Sequence, residues 1–408
     1  MLELGNEYRI QECKITKEGS RDLDLQGAGM ISSLEFYEDM FHNTISGSIA
    51  LADDRFDLVG RYPIIGNENA RIRLSSSKDS SNYEIDFNIF SIGNVEFPNS
   101  TSKTYSIRLV SNEYLSNLKT LVSRSYKDYL LSEIAENVLN DYLPSSRSKD
   151  YHLEDTKERH HIIIPNWNPF DALNWLSKRS VSVHNNSTGF VFYESRSGFH
   201  YKSYESLMQQ VPVAKYAYSS LSLDSDSQIQ STNKSDDSEK IININVVKVP
   251  NVINNIQKGM YSNRIISHDW INQNYESREF DYDDEFDFNT NLNGTKLGEH
   301  SGVSNEKVIY ENYDSQPTEN LNGVATRISR IQQMENFRIN VTTAGNIDRQ
   351  IGDVITIEIL SVDMRTEEKL LDETFSGNWL VTGIRHSISD KHITMMELIK
   401  DTYGNIEG

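Results

Sequence analysis

The segment ENLNGVATRISRIQQMENFRI (319–339) is followed by four short segments in which the apolar spacing changes from three or four residues to two. The first segment predicts a helix with one buried face. Its apolar side chains are Leu321, Val324, Ile328, Ile331 and Met334. The later segments predict antiparallel strands: FRINVTTAG (337–345), DVITIEIL (353–360), NWLVTGIRHSI (378–388) and HITMMELI (392–399). This order indicates a small β-barrel or sandwich unit.

Size and composition bound the class of protein. A chain of 408 residues predicts about two to four domains. No segment approaches the length of an apolar membrane span, and the first residues, MLELGNEYRI, lack a signal-peptide pattern. The single cysteine, Cys13, excludes an internal disulfide framework and indicates a reducing compartment.

The formal net charge is −20, from 40 Lys and Arg against 60 Asp and Glu. A protein that grips nucleic acid through its phosphates is expected to be basic, so that class of binding is not indicated. An acidic surface repels DNA, which would suit a conduit through which DNA slides. Most acidic proteins are simply soluble, so solubility alone is the more common reason for such a charge, and both interpretations stay open.

Residues 1–112 are interpreted as a first β domain. Six segments rich in Ile, Tyr and Phe recur along it, separated by turn residues, which favours an antiparallel barrel or sandwich. In YEIDFNI (83–89) the apolar residues alternate with acidic and amide side chains, so one face is expected to be buried and the other exposed.

Residues 113–212 are interpreted as a helical and hairpin insertion domain. KDYLLSEIAENVLNDYL (127–143) places apolar residues, including Tyr129 and Leu130, at helical spacing. A second helix is expected to begin at Pro169 with Asn168 as its N-cap. The segment after it predicts a hairpin whose loop lies within 195–198.

The second half of the chain is divided into three parts. Residues 213–283 comprise a polar bridge and the first strands of a second β domain. Residues 284–317 are acidic and rich in Asn and Gly, and are interpreted as a linker with one strand near 308–310. Residues 318–404 supply the helix and closing strands of the second β domain.

Sequence motifs for catalysis, cofactors or metals are absent. His160 and His161 are adjacent on a strand, so they should point to opposite faces and not share a metal. His268 has no nucleophile or second acid at a useful spacing. The acidic segment from Asp281 fails the calcium-loop pattern, since its sixth residue is Phe286 rather than Gly. We therefore predict no catalytic, cofactor-binding or metal-binding residues.

Several of these segments resemble the hub proteins of contractile tails, which include the central baseplate hub of T-even-like phages, the late-control tail proteins and the type VI secretion spike. In the last quarter the shared features are Gly345, the turn at 351–353 and the strand W-x-V-x-x-I-x-H at 379–386. The early segment SGSIALAD (46–53) and the helix segment PNWNPFDALNWL (165–176) are also similar to that family.

The resemblance implies an α+β, mainly β fold with two tube-type β-barrel or sandwich domains and a helical insertion domain. It implies a homotrimer whose ring joins a tail spike protein with an OB-fold to the tail tube initiator or tube protein. Genomic DNA would pass through the ring without specific binding. The protein would be a structural component of the tail baseplate of the virion, assembled in the host cytoplasm, without a cofactor and without enzymatic activity.

If such a ring exists, its lumen is expected to receive acidic side chains from exposed strand faces. The candidates are Glu84, Asp86 and Glu358. Two alternatives remain: a spike hub of a pyocin or type VI-like system, and a β-sandwich carbohydrate-active enzyme. The sequence ends at Gly408, soon after the second β domain, and we expect this to favour the phage arrangement in which hub and spike are separate chains.

Overall fold

The computed structural model shows a mainly β protein, with seven helices among the residues it describes, which confirms the predicted α+β class. The described residues are 8–17, 19, 22–54, 62, 64–66, 68–76, 82–99, 102–143, 149–218, 240–269, 273–286, 290–294, 296–298, 302, 306–309, 321–362 and 369–403. Within them, no helix is long and apolar enough to cross a membrane.

The first part of the chain forms antiparallel strands, as predicted. They are β1 (Tyr8–Thr16), β2 (Leu23–Asp24), β3 (Ile31–Asp39), β4 (Ser46–Asp53), β5 (Asn69–Ser76), β6 (Asn82–Glu96) and β7 (Lys103–Ser111). Their order in the sheet is β3-β4-β7-β6-β5-β1-β2. On β6 the predicted alternation is confirmed from residue 84 to residue 87, because Ile85 and Phe87 are buried whereas Glu84 and Asp86 are exposed. It ends at Asn88, which was expected on the exposed face and is buried.

The middle of the chain mixes helices with small sheets. Its elements are α1 (Asn112–Lys119), β8 (Val122–Leu130), α2 (Leu131–Tyr142), β9 (Tyr151–Leu153), β10 (Arg159–Trp167), α3 (Pro169–Ser177), β11 (Phe190–Ser195), β12 (Gly198–Ser203) and α4 (Tyr204–Met208). Strands β8 and β10 form one sheet, and β11, β12 and β9 form another. The helix at Pro169 and the hairpin around 195–198 are confirmed.

One boundary in this region was predicted wrongly. Tyr129 and Leu130 belong to strand β8, and helix α2 begins only at Leu131. The reason is a long-range pairing: β8 pairs with β10, which places Tyr129 opposite His160 and Leu130 opposite Arg159. The Glu133 carboxylate also accepts the Leu130 N–H at 2.9 Å, which caps the helix at that residue.

The remainder of the chain contains the second set of strands. Its elements are β13 (Ala214–Tyr218), β14 (Ile241–Lys248), α5 (Val252–Gln257), β15 (Ser262–Asp269), β16 (Asn274–Asp281), α6 (Tyr282–Glu285), β17 (Glu306–Ile309), α7 (Leu321–Met334), β18 (Phe337–Ala344), β19 (Val354–Val362), β20 (Lys369–Leu371), β21 (Gly377–Ile388) and β22 (His392–Lys400). The predicted helix and its four strands are therefore confirmed.

Strand β21 joins the two β units. Its first half pairs with β19, from Gly377↔Ile357 to Leu380↔Val354, and its second half pairs with β3. In the second unit the strands follow the order β13-β19-β21-β22-β18-β14, and a bridge between Ala217 and Lys240 brings the outer strands together. The second unit is thus an almost closed six-stranded barrel that continues into the sheet of the first unit.

The described residues form three hydrophobic clusters. The first unit has its own cluster, which includes Phe36 and Phe87, and the middle region has another, around Ile134 and Phe190. The third and largest belongs to the second unit. It also takes in residues from the middle region, namely Val191, Tyr193, Tyr204, Leu207 and Met208. Residues near the proposed boundary at 212 therefore pack against the second unit.

The described residues of the region 284–317 include buried apolar side chains, which the predicted linker does not. Leu292 and Leu297 are buried in the core cluster of the second unit, and the Leu292 N–H donates to the Asp401 carboxylate at 3.1 Å. The strand expected near 308–310 is β17, which pairs in parallel with β15. The Asn- and Gly-rich composition did not indicate that Leu292 and Leu297 are buried, because their burial depends on tertiary contacts.

Helix α7 has a more polar buried face than its apolar spacing predicted. Val324, Ile328 and Ile331 are only partly buried, whereas Arg330 is 1% exposed. The Arg330 guanidinium pairs with Glu205 and Asp401, each at 3.0 Å, and both carboxylates are buried as well. This charged network links α7 to α4 and to the residues after β22.

Candidate functional site

The acidic candidates Glu84 and Asp86 lie on the exposed face of β6, next to a row of arginines on β5. Asp86 accepts from Arg71 Nε at 2.8 Å, and Glu84 accepts from Arg73 Nη2 at 3.0 Å. Arg73 also pairs with Glu12 on β1 at 2.9 Å. These exposed pairs contribute little to stability because solvent screens them, but they offset the charge of the acidic face.

Glu358 lies on β19 of the other β unit, and its carboxylate pairs with Lys215 Nζ on β13 at 2.6 Å. The structure therefore brings Glu84 and Asp86 together and places Glu358 in a separate ion pair. All three candidates have a cationic partner. The sequence missed these partners because its charge pattern does not reveal which strands are neighbours.

A polar cavity of about 330 Å³ lies at the junction between the first β unit and the middle region. Glu84 and Asp86 line it on one side, and the turn between β11 and β12 lines it on the other. The lining also includes Glu113, Lys149 and Glu194. The sequence candidates on β6 thus border a charged junction, which sequence patterns did not reveal.

Glu194 holds this junction together. Its carboxylate accepts from the Ile45 N–H at 3.0 Å and the Ser111 hydroxyl at 2.7 Å, and it pairs with Lys149. Lys149 also pairs with the buried Glu113 at 2.8 Å. Burial alone would lower the pKa of Lys149, but Glu194 and Glu113 outweigh it and hold that pKa above its usual value.

A second buried carboxyl, Glu38, sits on β3 and is 3% exposed. Burial raises its pKa to about 8, against a backbone hydrogen bond from Ile351 that favours the charged form. Its Oε2 has no hydrogen-bond partner among the described residues. The sequence signal was present, because Glu38 continues the period-two apolar series of Leu34 and Phe36.

The family-like residues of the last quarter have packing roles. His386 is buried and stacks on Phe36, with ring centroids 4.5 Å apart, and its Nδ1 lies 3.3 Å from His392 Nε2. A Cβ at position 345 would overlap the His392 ring, so this position requires glycine. Trp379 is buried, and its Nε1 donates to the Phe375 carbonyl at 3.0 Å.

A serine–histidine pair in the described part of the chain has some features of a catalytic arrangement. Ser195 Oγ lies 2.8 Å from His200 Nε2, but burial lowers the pKa of His200 to about 3. His200 Nδ1 has no partner in the described part of the chain, so no carboxylate orients the ring. This geometry gives a poor general base, and Ser195 is itself buried.

His160 and His161, considered as metal ligands, and His268, considered as a general base, do not form a site. On β10, His160 is half-buried whereas its neighbour His161 is exposed, and His268 is exposed on β15. The described residues contain no group of three His, Cys, Asp or Glu side chains that could hold a metal ion.

No protein-family model matches the chain. It is 21% identical over 433 aligned residues to the probable baseplate hub protein gp334 of Vibrio phage KVP40, covering 100% of this chain and 98% of that protein.

Two solved structures share the fold. A tail protein from Neisseria meningitidis MC58 superposes with a TM-score of 0.57 at 12% identity, over 97% of both chains. The 43 kDa tail protein of prophage MuSo2 from Shewanella oneidensis gives 0.58 at 9% identity, over 96% of this chain and 98% of that one. The resemblance to the hub and tail proteins of contractile tails, which the sequence indicated, is confirmed along the whole chain.

Proposed function

We propose that this chain is a structural baseplate hub of a contractile phage tail. The observation that carries the proposal is the alignment with a probable baseplate hub protein, which covers 100% of this chain and 98% of that relative. The two β units linked through β21 give the proposal a physical basis.

The proposed assembly is a homotrimer. Each chain contributes two β units, so three chains would place six units around one axis. One end of this ring would bind a spike protein with an OB-fold, and the other would bind the tail tube initiator or tube protein. The protein would reside in the tail baseplate of the virion after assembly in the host cytoplasm.

Genomic DNA would pass through the ring without specific binding. The net charge of −20 disfavours adhesion to phosphates. If the faces that carry Glu84, Asp86 and Glu358 line the lumen, their ion pairs with Arg71, Arg73 and Lys215 would present a nearly neutral wall. DNA would then be neither gripped nor strongly repelled.

We propose no enzymatic activity. The Ser195–His200 pair lacks an orienting acid, and burial lowers the pKa of the histidine to about 3. The test is turnover of cell-wall glycans and ester substrates by the purified protein. Activity that Ser195→Ala abolishes would contradict this part of the proposal.

The lumenal position can be tested by charge reversal. Glu358→Lys would leave Lys215 unpaired and place two cations on the wall, so we expect intact assembly and slower DNA ejection. Glu136→Lys, at an exposed position on α2, is the matched control. Normal ejection by the Glu358→Lys phage would count against a lumenal position for this residue.

A further inference from the structure

Glu38 lies at a point where three parts of the chain meet. On β3 of the first unit it is opposite Ile384 of β21. The Ile351 N–H, in the turn before β19 of the second unit, donates to its carboxyl. From the middle region, the β11–β12 turn brings Arg196 close enough for its charge to act on the same carboxyl. The first unit, the second unit and the middle region therefore all act on one buried group.

The Glu38 carboxyl has few partners for a buried group. The residue is 3% exposed, and its Oε2 accepts no hydrogen bond from the described residues. Glu194 is buried as well, but its carboxylate is better satisfied. It accepts from the Ile45 N–H and the Ser111 hydroxyl and pairs with Lys149. Because a buried carboxylate needs such partners to stay charged, the contacts accommodate a charge at Glu194 but not at Glu38.

The charges around Glu38 oppose one another. Beyond the effect of burial, Glu194 and Asp353 disfavour a negative charge on Glu38, and Arg196 favours one. Arg196 is already engaged, because its Nη1 pairs with Asp348 at 3.3 Å. Ionisation of Glu38 would therefore add a third carboxylate without adding a cation.

Two other carboxyls near Glu38 have a raised pKa, and burial is the cause in both. At Glu194 the charge of Lys149 opposes this shift, and at Asp353 the Gln350 N–H opposes it by donating to the carboxylate at 3.1 Å. Glu38 differs from both because its Oε2 has no partner in the described part of the chain. The groups that burial keeps uncharged, by raising the pKa of the tyrosines and lowering that of the histidine, are Tyr83 on β6, Tyr193 on β11 and His386 on β21.

The turn at 349–353 is close to both Glu38 and a cavity. Its Ile351 N–H donates to the Glu38 carboxyl, and Ile351 also lines a cavity of about 210 Å³. Glu194 and Arg196, whose charges act on Glu38, line the cavity of about 330 Å³. A small displacement of the turn would therefore open Glu38 to solvent.

Hydrogen bonds connect this turn to each part of the chain. In the second unit the Gly352 N–H donates to the Val381 carbonyl at 2.8 Å. Gln210 of the middle region donates to the Gly352 carbonyl at 3.0 Å. The Ile351 N–H provides the connection to Glu38 in the first unit. The charge on Glu38 can therefore bias how closely the turn lies on the first unit.

We propose that Glu38, when protonated, holds the turn at 349–353 against the first unit, and that loss of this proton releases the turn. The inference concerns a single chain and is independent of the proposed ring. Its consequence is that the two β units are joined more rigidly at mildly acidic pH than at alkaline pH.

Proton linkage gives the direction and the size of the effect. Burial gives Glu38 a pKa of about 8 while the turn is closed, and exposure to water returns it to about 4.5. Between these values the released state binds fewer protons, so a rising pH favours release. The equilibrium constant for release should increase about tenfold between pH 6 and 7 and about fivefold between pH 7 and 8, and then level off.

Hydrogen exchange measured by mass spectrometry tests the proposal. Exchange rates at 349–353, corrected for the intrinsic effect of pH, give the equilibrium constant for release at each pH. We expect these increases in the wild type and in Glu136→Gln, whose carboxyl is exposed on α2. Glu38→Gln should show a constant value, because glutamine stays neutral and still accepts from the Ile351 N–H. The turn should also be less protected than the paired strands β18 and β22.

Three results would overturn the inference. The first is the same pH dependence in the wild type and in Glu38→Gln. The second is a dependence that persists in Glu38→Gln and disappears in Asp353→Asn, which would assign the release to Asp353. The third is equal protection of the turn and of β18 and β22, which would mean that the turn opens only when the whole chain unfolds. This comparison and the levelling off near pH 8 use the wild type alone, so they test the inference even if Glu38→Gln does not fold.

Discussion

Replacing Glu38 with glutamine should make the protein more stable at alkaline pH. Glu38 is buried on β3, and its Oε2 lacks a hydrogen-bond partner among the described residues. Burial raises its pKa from 4.5 to about 8. Glutamine has nearly the same shape and carries no charge, so it removes the cost of ionising a buried group without opening a cavity.

The sign and size of the effect follow from proton linkage. Because the pKa is higher in the folded than in the unfolded state, the folded state binds more protons between pH 4.5 and about 8. The stabilisation from this carboxyl is therefore present at low pH and is lost as the pH rises through that window. One pKa unit corresponds to about 1.4 kcal/mol, so the wild type should lose about 4 kcal/mol from Glu38 between roughly pH 5 and 8.5.

Urea unfolding of both proteins at these two pH values measures the effect. The free energy of unfolding of Glu38→Gln, minus that of the wild type, should increase by about 4 kcal/mol at the higher pH. Glu136→Gln, at an exposed position on α2, should show no such change. A difference that stays constant between the two pH values would mean that Glu38 is not held in a desolvated site.

Three further predictions concern buried residues of the second unit. Arg330→Met should lower the free energy of unfolding by about 3–5 kcal/mol, because it leaves two buried carboxylates unpaired. Urea unfolding measures this loss, and a loss below about 1 kcal/mol would contradict the role of the Arg330 ion pairs. Gly345→Ala should lower the melting temperature, and adding His392→Ala should partly restore it, since the new Cβ overlaps that ring; equal losses in both variants would refute this. Lys400 is buried, and burial lowers its pKa to about 7. The free energy of unfolding should therefore decrease as the pH falls from about 10.5 to 7, because the unfolded state binds the proton more readily. In Lys400→Met, unfolding measured at pH 9.5 and 6.5 should no longer show this pH dependence.

Local patterns were sufficient for much of the fold. The change from helical to period-two spacing located α7 and four of the five strands after it, all but β20, and Pro169 located the start of α3. These features depend on neighbours in the sequence, such as side-chain alternation and the fixed φ of proline. The same is true of the alternating face of β6, where Glu84 and Asp86 lie.

The pairing of strands that are far apart in the sequence could not be predicted from local patterns. Alternation shows that β21 is a strand, but not that its two halves pair with β19 and with β3. Pairing with β10 likewise extended β8 into the predicted helix. The cations beside the acidic candidates were hidden for the same reason, because Arg71 is opposite Asp86 only in the folded sheet.

Buried charges were the hardest to predict. Arg330 and Glu194 are polar residues that sequence patterns assign to the surface, yet each is nearly inaccessible to solvent. Their burial depends on partners far away in the chain, such as Asp401 for Arg330 and Lys149 for Glu194. A carboxylate in register with apolar neighbours, as at Glu38 and at Asp53, is a signal of this kind that the sequence does contain.

The most direct test of the account is the native mass of the purified protein, alone and with its spike partner. A ring-forming hub predicts a complex with three copies of this chain, and electron microscopy should show six β units around a central channel. A single copy in both preparations, at concentrations where assembly is expected, would contradict the account.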